Sequence, residues 1–259
     1  MSDTNFLQLW RHATIFLQLN GRRLLVDPML SPAEAMAPIE HSGNDQRIPM
    51  VPLPFDDVER DAQLRTLDAI IVTHLHRDHW DIAAQAMLPI DKPLFCQPPD
   101  ADTLRQQGFR RVIPVGDSYT WEGLSITRTG GQHGTGEMAQ KMGPVSGFVV
   151  RDAHSSLYLA GDTIWCPEVA SALSTHQPDW TVLNAGSAQF ITGEPITMTD
   201  RDIAEVAHAN SKTNIIVAHL ETINHCRQNR DQIRQALENR QISDRVHIPA
   251  DGESIRLGR

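Results

Sequence analysis

The chain has 259 residues, 40% of them hydrophobic and 21% charged, with a formal net charge of −9. That charge argues against a duplex-binding surface, which needs a basic patch, and the lack of any long apolar run argues against a membrane span. The start, "MSDTNFLQLW", carries no basic-then-apolar signal, and Cys96, Cys166 and Cys226 are scattered without a CxxC, so reduced thiols and a cytoplasmic location are expected.

The chain opens on two β-rich stretches, "FLQLW" and "ATIFLQL". Asn20-Gly21 marks a two-residue hairpin, and "RRLLVD" returns from it to end at Asp27-Pro28. From Pro28 to Phe55 the sequence is irregular and rich in proline and methionine. A loop this long is either a lid or pocket wall, or an insertion packed on the surface. "LDAIIVTH" is a strand without alternation, hence buried on both faces. "DIAAQAML" reads as a helix capped by Asp81, "PLFC" as a strand, "DADTLRQQG" as a helix ending at Gly108, and "FRRVIPV" as a strand. "LSITRT" leads into the glycine-rich "GGQHGTGE", and "VSGFVVRD" and "SSLYLAGD" form a strand pair. Helices over "CPEVASALSTH", "TDRDIAEVAHAN" and "NRDQIRQALENR" alternate with strands over "WTVLNAG" and "NIIVAH", and "RVHI" and "SIRL" close the chain. Thr197, Thr199 and Asp200 read as a helix-capping cluster. A β-meander that turns into alternating β and α, repeated once, implies layered sheets covered by helices. No linker, repeat or low-complexity segment divides residues 1–259, so one domain is expected.

"THLHRDHWD" places His74, His76, Asp78 and His79 directly after a buried strand. In an extended segment His74 and His76 point the same way, and Asp78 and His79 follow in the turn. The spacing suits two metal ions better than one, and imidazoles with a carboxylate suit zinc, manganese or iron. His133, Asp162 and His219 each follow a strand and are further candidate ligands.

These motifs resemble those of the metallo-β-lactamase superfamily. Asp27 after the hairpin, H-x-H-x-D-H at 74–79, then His133, Asp162 and His219 run through most of the chain. "RHATIFLQLNGRRLLVDP", "GGQHGTGE", "AGDTIW" and "HLETINHC" are most similar to the L-ascorbate-6-phosphate lactonase branch. The resemblance implies a four-layer αββα sandwich with the metals at one edge. It implies that His74, His76 and His133 hold one metal, that Asp78, His79 and His219 hold the second, and that Asp162 bridges. The chain is shorter than a lactonase of that kind, and no cysteine stands at a zinc-ligand position, which weakens β-lactam hydrolysis.

Two metals imply a bridging hydroxide that attacks a small, possibly anionic ester, lactone or phosphoester. Asp78 is placed to orient the water or return a proton, and Asp162 shares that centre. Asp27 is either the hydrogen-bond acceptor that fixes a ligand histidine or a plain turn carboxylate. His225 either contacts substrate, pairs with Glu221 or is a hydrogen-bonded, half-buried histidine; His12 and Asn184 are open between the site and a structural role. His41, His154, His176, His208 and His247 read as surface or ordinary core. The alternative is a phosphodiesterase or nuclease of the same fold, against which the scattered basic residues weigh; membrane partners are not expected. A redox relative would need an acid in place of one histidine and a flavin partner, and His79 stands at the position to watch.

Overall fold

The computed structural model describes residues 5–258. β1 (Phe6–Arg11), β2 (Thr14–Leu19) and β3 (Arg22–Val26) form the expected meander. Asn20 and Gly21 make its tight turn, both left-handed at φ 51° and 70°. α1 (Asp57–Arg65), β4 (Ala69–Val72), α2 (Ile82–Met87), β5 (Leu94–Cys96), α3 (Ala101–Gln106) and β6 (Val112–Pro114) follow. The second half runs β7 (Ser118–Trp121), β8 (Leu124–Thr129), α4 (Gly136–Met142), β9 (Gly147–Arg151), β10 (Ser156–Leu159), α5 (Pro167–His176) and β11 (Trp180–Asn184). It continues with α6 (Asp200–Ala209), β12 (Asn214–Ala218), α7 (Arg230–Asn239), β13 (Val246–His247) and β14 (Ser254–Arg256).

The strands form two seven-stranded sheets, ordered β14-β1-β2-β3-β4-β5-β6 and β13-β12-β11-β10-β9-β8-β7. Leu7, Leu17, Val26 and Ile71 from the first meet Phe148, Leu157 and Val182 from the second in one apolar layer. β4 shows why its sequence lacks alternation: Ala69 and Ile71 face that layer, while Ile70 and Val72 face the helix-side cluster with Leu64 and Leu104. Leu183 and Val217 of the second sheet meet Val169, Ile203 and Ile233 of α5, α6 and α7 on its outer face. The layers are therefore αββα. Thr199 caps α6 in a capping box with Asp202, and Asp81 caps α2 through the Ala84 amide.

Residues 28–55 are irregular but tied down. Met29 and Ile48 pack on Ile223, with Met36, Ile39 and Met50 around them. Arg11, fully buried, donates to the carbonyls of Met29 (2.7 Å), Ser31 (3.0 Å) and Val51 (2.9 Å). Burial pulls its pKa down to about 10, against the opposing pull of Asp81 and Asp251. Charge-assisted bonds of this kind contribute more than neutral ones. Arg11→Met is expected to cost about 3 kcal/mol of stability and to expose residues 28–55 to protease, read by thermal unfolding and limited proteolysis. Unchanged cleavage would show that the apolar contacts alone hold the segment.

Candidate metal centre

Strand polarity sets the site. β1, β3 and β4 run parallel to one another in the first sheet, as β8, β10, β11 and β12 do in the second. The C-terminal ends of each set meet at one edge of the sandwich. His12 follows β1, Asp27 follows β3 and His74 follows β4; His133, Asp162 and His219 follow β8, β10 and β12. His12, Asp27 and His219 adopt left-handed φ values of 59°, 43° and 67°. Such residues cost on the order of 1–3 kcal/mol each and persist where surrounding structure over-determines them. Gly161, at φ 68°, precedes Asp162, and a Cβ there would lie 2.7 Å from the Ser146 carbonyl.

Three groups of candidate ligand atoms each converge within 4.8 Å: His74, His76 and His133; His12, Asp78, His79 and His219; and His74, His79 and Asp162. Asp162 stands between them, its Oδ2 lying 3.2 Å from His79 Nε2, 3.5 Å from His133 Nε2 and 3.3 Å from His219 Nε2. Asp78 Oδ2 lies 3.1 Å from His12 Nε2 and 3.6 Å from both His79 Nε2 and His219 Nε2.

A surrounding layer aims the rings. Asp27 Oδ2 accepts from His79 Nδ1 at 2.9 Å, and the Ile196 carbonyl accepts from His133 Nδ1 at 2.7 Å. Thr73 Oγ1 donates to Asp27 Oδ2 at 2.7 Å and so can accept from His74 Nδ1 at 3.0 Å. With each Nδ1 carrying the proton, each Nε2 presents its lone pair inward. Asn184 Nδ2 donates to Asp162 Oδ1 at 2.8 Å and leaves Oδ2 to the histidines.

The donor set fits divalent cations. His74 Nε2 faces His76 Nδ1 at 3.0 Å, and His79 Nε2 and His219 Nε2 both converge on Asp162 Oδ2. Lone pairs buried face to face are costly unless a cation lies among them. Imidazoles and carboxylates without a thiolate suit zinc, manganese or iron.

The buried carboxylates also govern proton occupancy. Burial pushes the Asp78 and Asp162 carboxyls up, but His79 and His12 on Asp78, and His219 and His79 on Asp162, outweigh it and hold both well below the usual range. Burial would depress His79, yet Asp162, Asp78 and Asp27 carry it up to about 10; His219 rises likewise through Asp162 and Asp78. His74 and His133 go down through burial, and His12 falls to about 3. Without cations, His79 and His219 are therefore protonated at pH 7, and a cation must displace those protons. Cation affinity should rise as pH increases from 6.5 toward 10, and loading should release protons. Calorimetry in two buffers of different ionisation enthalpy reads this; zero net release would contradict it.

All seven candidate ligands meet at this edge, and Asp27, His12 and Asn184 touch them directly. Glu221 does not pair with His225. Its carboxylate accepts from the Arg230 backbone at 2.9 Å and from the Arg230 guanidinium, because Arg230 opens α7 beside it. His225 instead lines a cavity beside the cluster. Cys226 Sγ lies 3.9 Å from His219 Nδ1, on the side away from the carboxylates' Nε2 contacts. His41, His154 and His208 are exposed, and His176 and His247 half-buried.

The cavity, about 200 Å³, opens on His76, Asp78, His133 and Asp162. Ile39 from the 28–55 segment, Met142 from α4, and Phe190 and Ile196 from the loop before α6 form its apolar wall. The sequence reading missed these four, and Thr73 as well. Thr73 was within reach, as a hydroxyl directly before the first histidine. The wall residues carry no signal, because each lies on a segment without periodic pattern.

The sequence pattern of the "Beta-lactamase superfamily domain" family matches residues 22–220. The chain belongs to the metallo-β-lactamase superfamily. Within it, the chain is 35% identical over 248 residues to the UPF0173 protein YddR of Bacillus subtilis, covering 94% of this chain and 96% of that one. A possible metal-dependent hydrolase from Veillonella parvula superposes with a TM-score of 0.93 at 33% identity, covering 98% and 99% of the two chains. An isothiocyanate hydrolase from Delia radicum gut bacteria gives 0.92 at 35% identity, covering 98% and 100%. Other UPF0173 relatives are named metal-dependent hydrolases. Among the described residues no helix is long and apolar enough to cross a membrane.

Proposed function

We propose that this chain hydrolyses a small, mainly apolar molecule at an electrophilic carbon, namely an ester, a lactone or an isothiocyanate, with two divalent cations. The observation that carries the reading is the apolar wall of Ile39, Met142, Phe190 and Ile196 facing the histidine cluster. A cavity of about 200 Å³ is smaller than the pockets that take drug-sized ligands. Arg77 is the one basic side chain besides histidine in its lining, and its guanidinium donates to the Pro38 carbonyl at 2.8 Å. A phosphodiester or a phosphorylated sugar lactone would find little countercharge from side chains there, which ranks the nuclease and sugar-phosphate readings lower. The likeness to an isothiocyanate hydrolase along nearly the whole chain supports that substrate class. The likeness of the motifs to lactonases keeps unphosphorylated lactones beside it.

In this reading His74, His76 and His133 would hold one cation, Asp78, His79 and His219 would hold the other, and Asp162 would serve both. When bound, the cations lower the pKa of water toward neutrality and polarise the substrate's electrophilic group. The chain's own residues supply the geometry. Asn184 pins one oxygen of Asp162, Asp27 and Thr73 fix the rings of His79 and His74, and His12 holds Asp78 Oδ2. The apolar wall leaves water few polar partners on that side of the cavity, which lowers the local dielectric for the contacts beside it.

Cation-reconstituted protein should turn over phenethyl isothiocyanate, an aryl ester or γ-butyrolactone faster than bis(p-nitrophenyl) phosphate. Turnover of the phosphodiester alone would replace this reading with the phosphodiesterase one.

A further inference from the structure

We propose that His225 is a substrate-binding residue whose Nε2–H donates a hydrogen bond to the heteroatom on which charge develops during hydrolysis. The inference rests on the hydrolytic reading above. His225 is 5% exposed and lines the cavity beside Asp78, His133 and Asp162. It belongs to none of the groups of converging ligand atoms found among the described residues. It also lacks the support that three of the five candidate ligand histidines have. His74, His79 and His133 each place Nδ1 on a hydroxyl, carboxylate or carbonyl, whereas His225 Nδ1 is buried with no partner.

That orphan nitrogen decides the tautomer. Orphaned buried N–H groups are rarer than unsatisfied acceptors, so Nδ1 keeps the lone pair and the proton sits on Nε2. Nε2 is then the nitrogen that meets a ligand in the cavity His225 lines. Burial holds the ring neutral, its pKa down to about 4, against the pull of Asp78 and Asp162. A neutral imidazole is a donor that brings no second positive charge to a cation centre.

The ring is also fixed where three wall segments meet. It stacks on Phe190 with centroids 5.5 Å apart and planes at 27°. Its carbonyl accepts from the Gln189 amide at 3.0 Å, tying it to the loop before α6. The preceding Asn224 accepts from the Ile39 amide at 2.9 Å and donates to Ser42 Oγ at 2.6 Å, tying it to the 28–55 segment. A donor held this way needs no reorganisation as charge develops.

The test compares His225→Phe, which keeps the ring and removes the donor, with His225→Gln, which keeps a donor. On whichever of the three probe classes the wild type turns over, His225→Phe should lower kcat/KM about 10- to 100-fold at unchanged cation content. His225→Gln should recover most of that loss. Independently of turnover, the long-range ¹H–¹⁵N spectrum of ¹⁵N-histidine protein should show a neutral Nε2–H tautomer for His225 from pH 6 to 8. Wild-type rates in His225→Phe, no recovery in His225→Gln, or an Nδ1–H tautomer would each overturn the proposal. A wild type inert toward every probe would instead overturn the hydrolytic reading, and the spectrum would then decide the His225 assignment by itself.

Discussion

Asp162→Ala is expected to abolish cation retention and to lower turnover by more than about 100-fold. Loss of a group that merely orients a metal ligand typically costs 10- to 100-fold, and Asp162 is more central than that. Its Oδ2 is within 3.5 Å of Nε2 on three histidines drawn from three different strand ends. Asn184 holds the other oxygen and so fixes the orientation of the carboxylate. The substitution also removes the leading counter-charge that keeps His79 and His219 protonated in the cation-free protein. Their pKa values should therefore fall, and the proton release on loading should shrink. Elemental analysis after gel filtration, read beside turnover, checks both effects. Full cation content with intact turnover would remove Asp162 from the centre.

The second large effect is expected at Asp27, which belongs to no converging group yet touches His79 and, through Thr73, steadies His74. It is 1% exposed and accepts from the Thr73 amide (2.7 Å), from Thr73 Oγ1 (2.7 Å) and from His79 Nδ1 (2.9 Å). Asp27→Asn isolates charge from shape. Asparagine tolerates the left-handed backbone at this position, but its amide group would present donors to donors. Cation affinity should weaken about 10- to 100-fold, and the cation-free protein should lose roughly 3 kcal/mol. Cation titrations and denaturant unfolding, run without cations, separate the two effects. Wild-type affinity in Asp27→Asn would leave Asp27 as a turn carboxylate and nothing more.

Legibility in the sequence followed burial. The strands "ATIFLQL", "AIIV" and "WTVLN" were readable because every residue of the observed β2, β4 and β11 is buried. α6 and α7 were readable because each turns one apolar stripe inward, Ile203 and Val206 in the first, Ile233 and Leu237 in the second. Three elements escaped the reading. α1 buries only Leu64, α4 buries nothing, and β7 has three exposed residues of four. An element without a buried face leaves no periodic trace, and its position is decided by what flanks it.

The site divides the same way. The ligand candidates announced themselves because metal-capable side chains after apolar strands have few other reasons to be there. Their convergence depends on strand order, which local sequence does not encode: β14 joins the first sheet beside β1 from the far end of the chain. His12 and His225 were ambiguous because a lone histidine signals nothing until its neighbours are known. Glu221 was misjudged because Arg230, its actual partner, lay inside a helix read on its own terms.

The most direct test of the account is titration of cation-stripped protein with a divalent metal, following turnover of a small apolar substrate against cations bound per chain. The stripped protein is expected to show no turnover, and turnover to rise and saturate at two bound cations. Undiminished turnover without cations, or full loading with no hydrolysis of any probe, would contradict it.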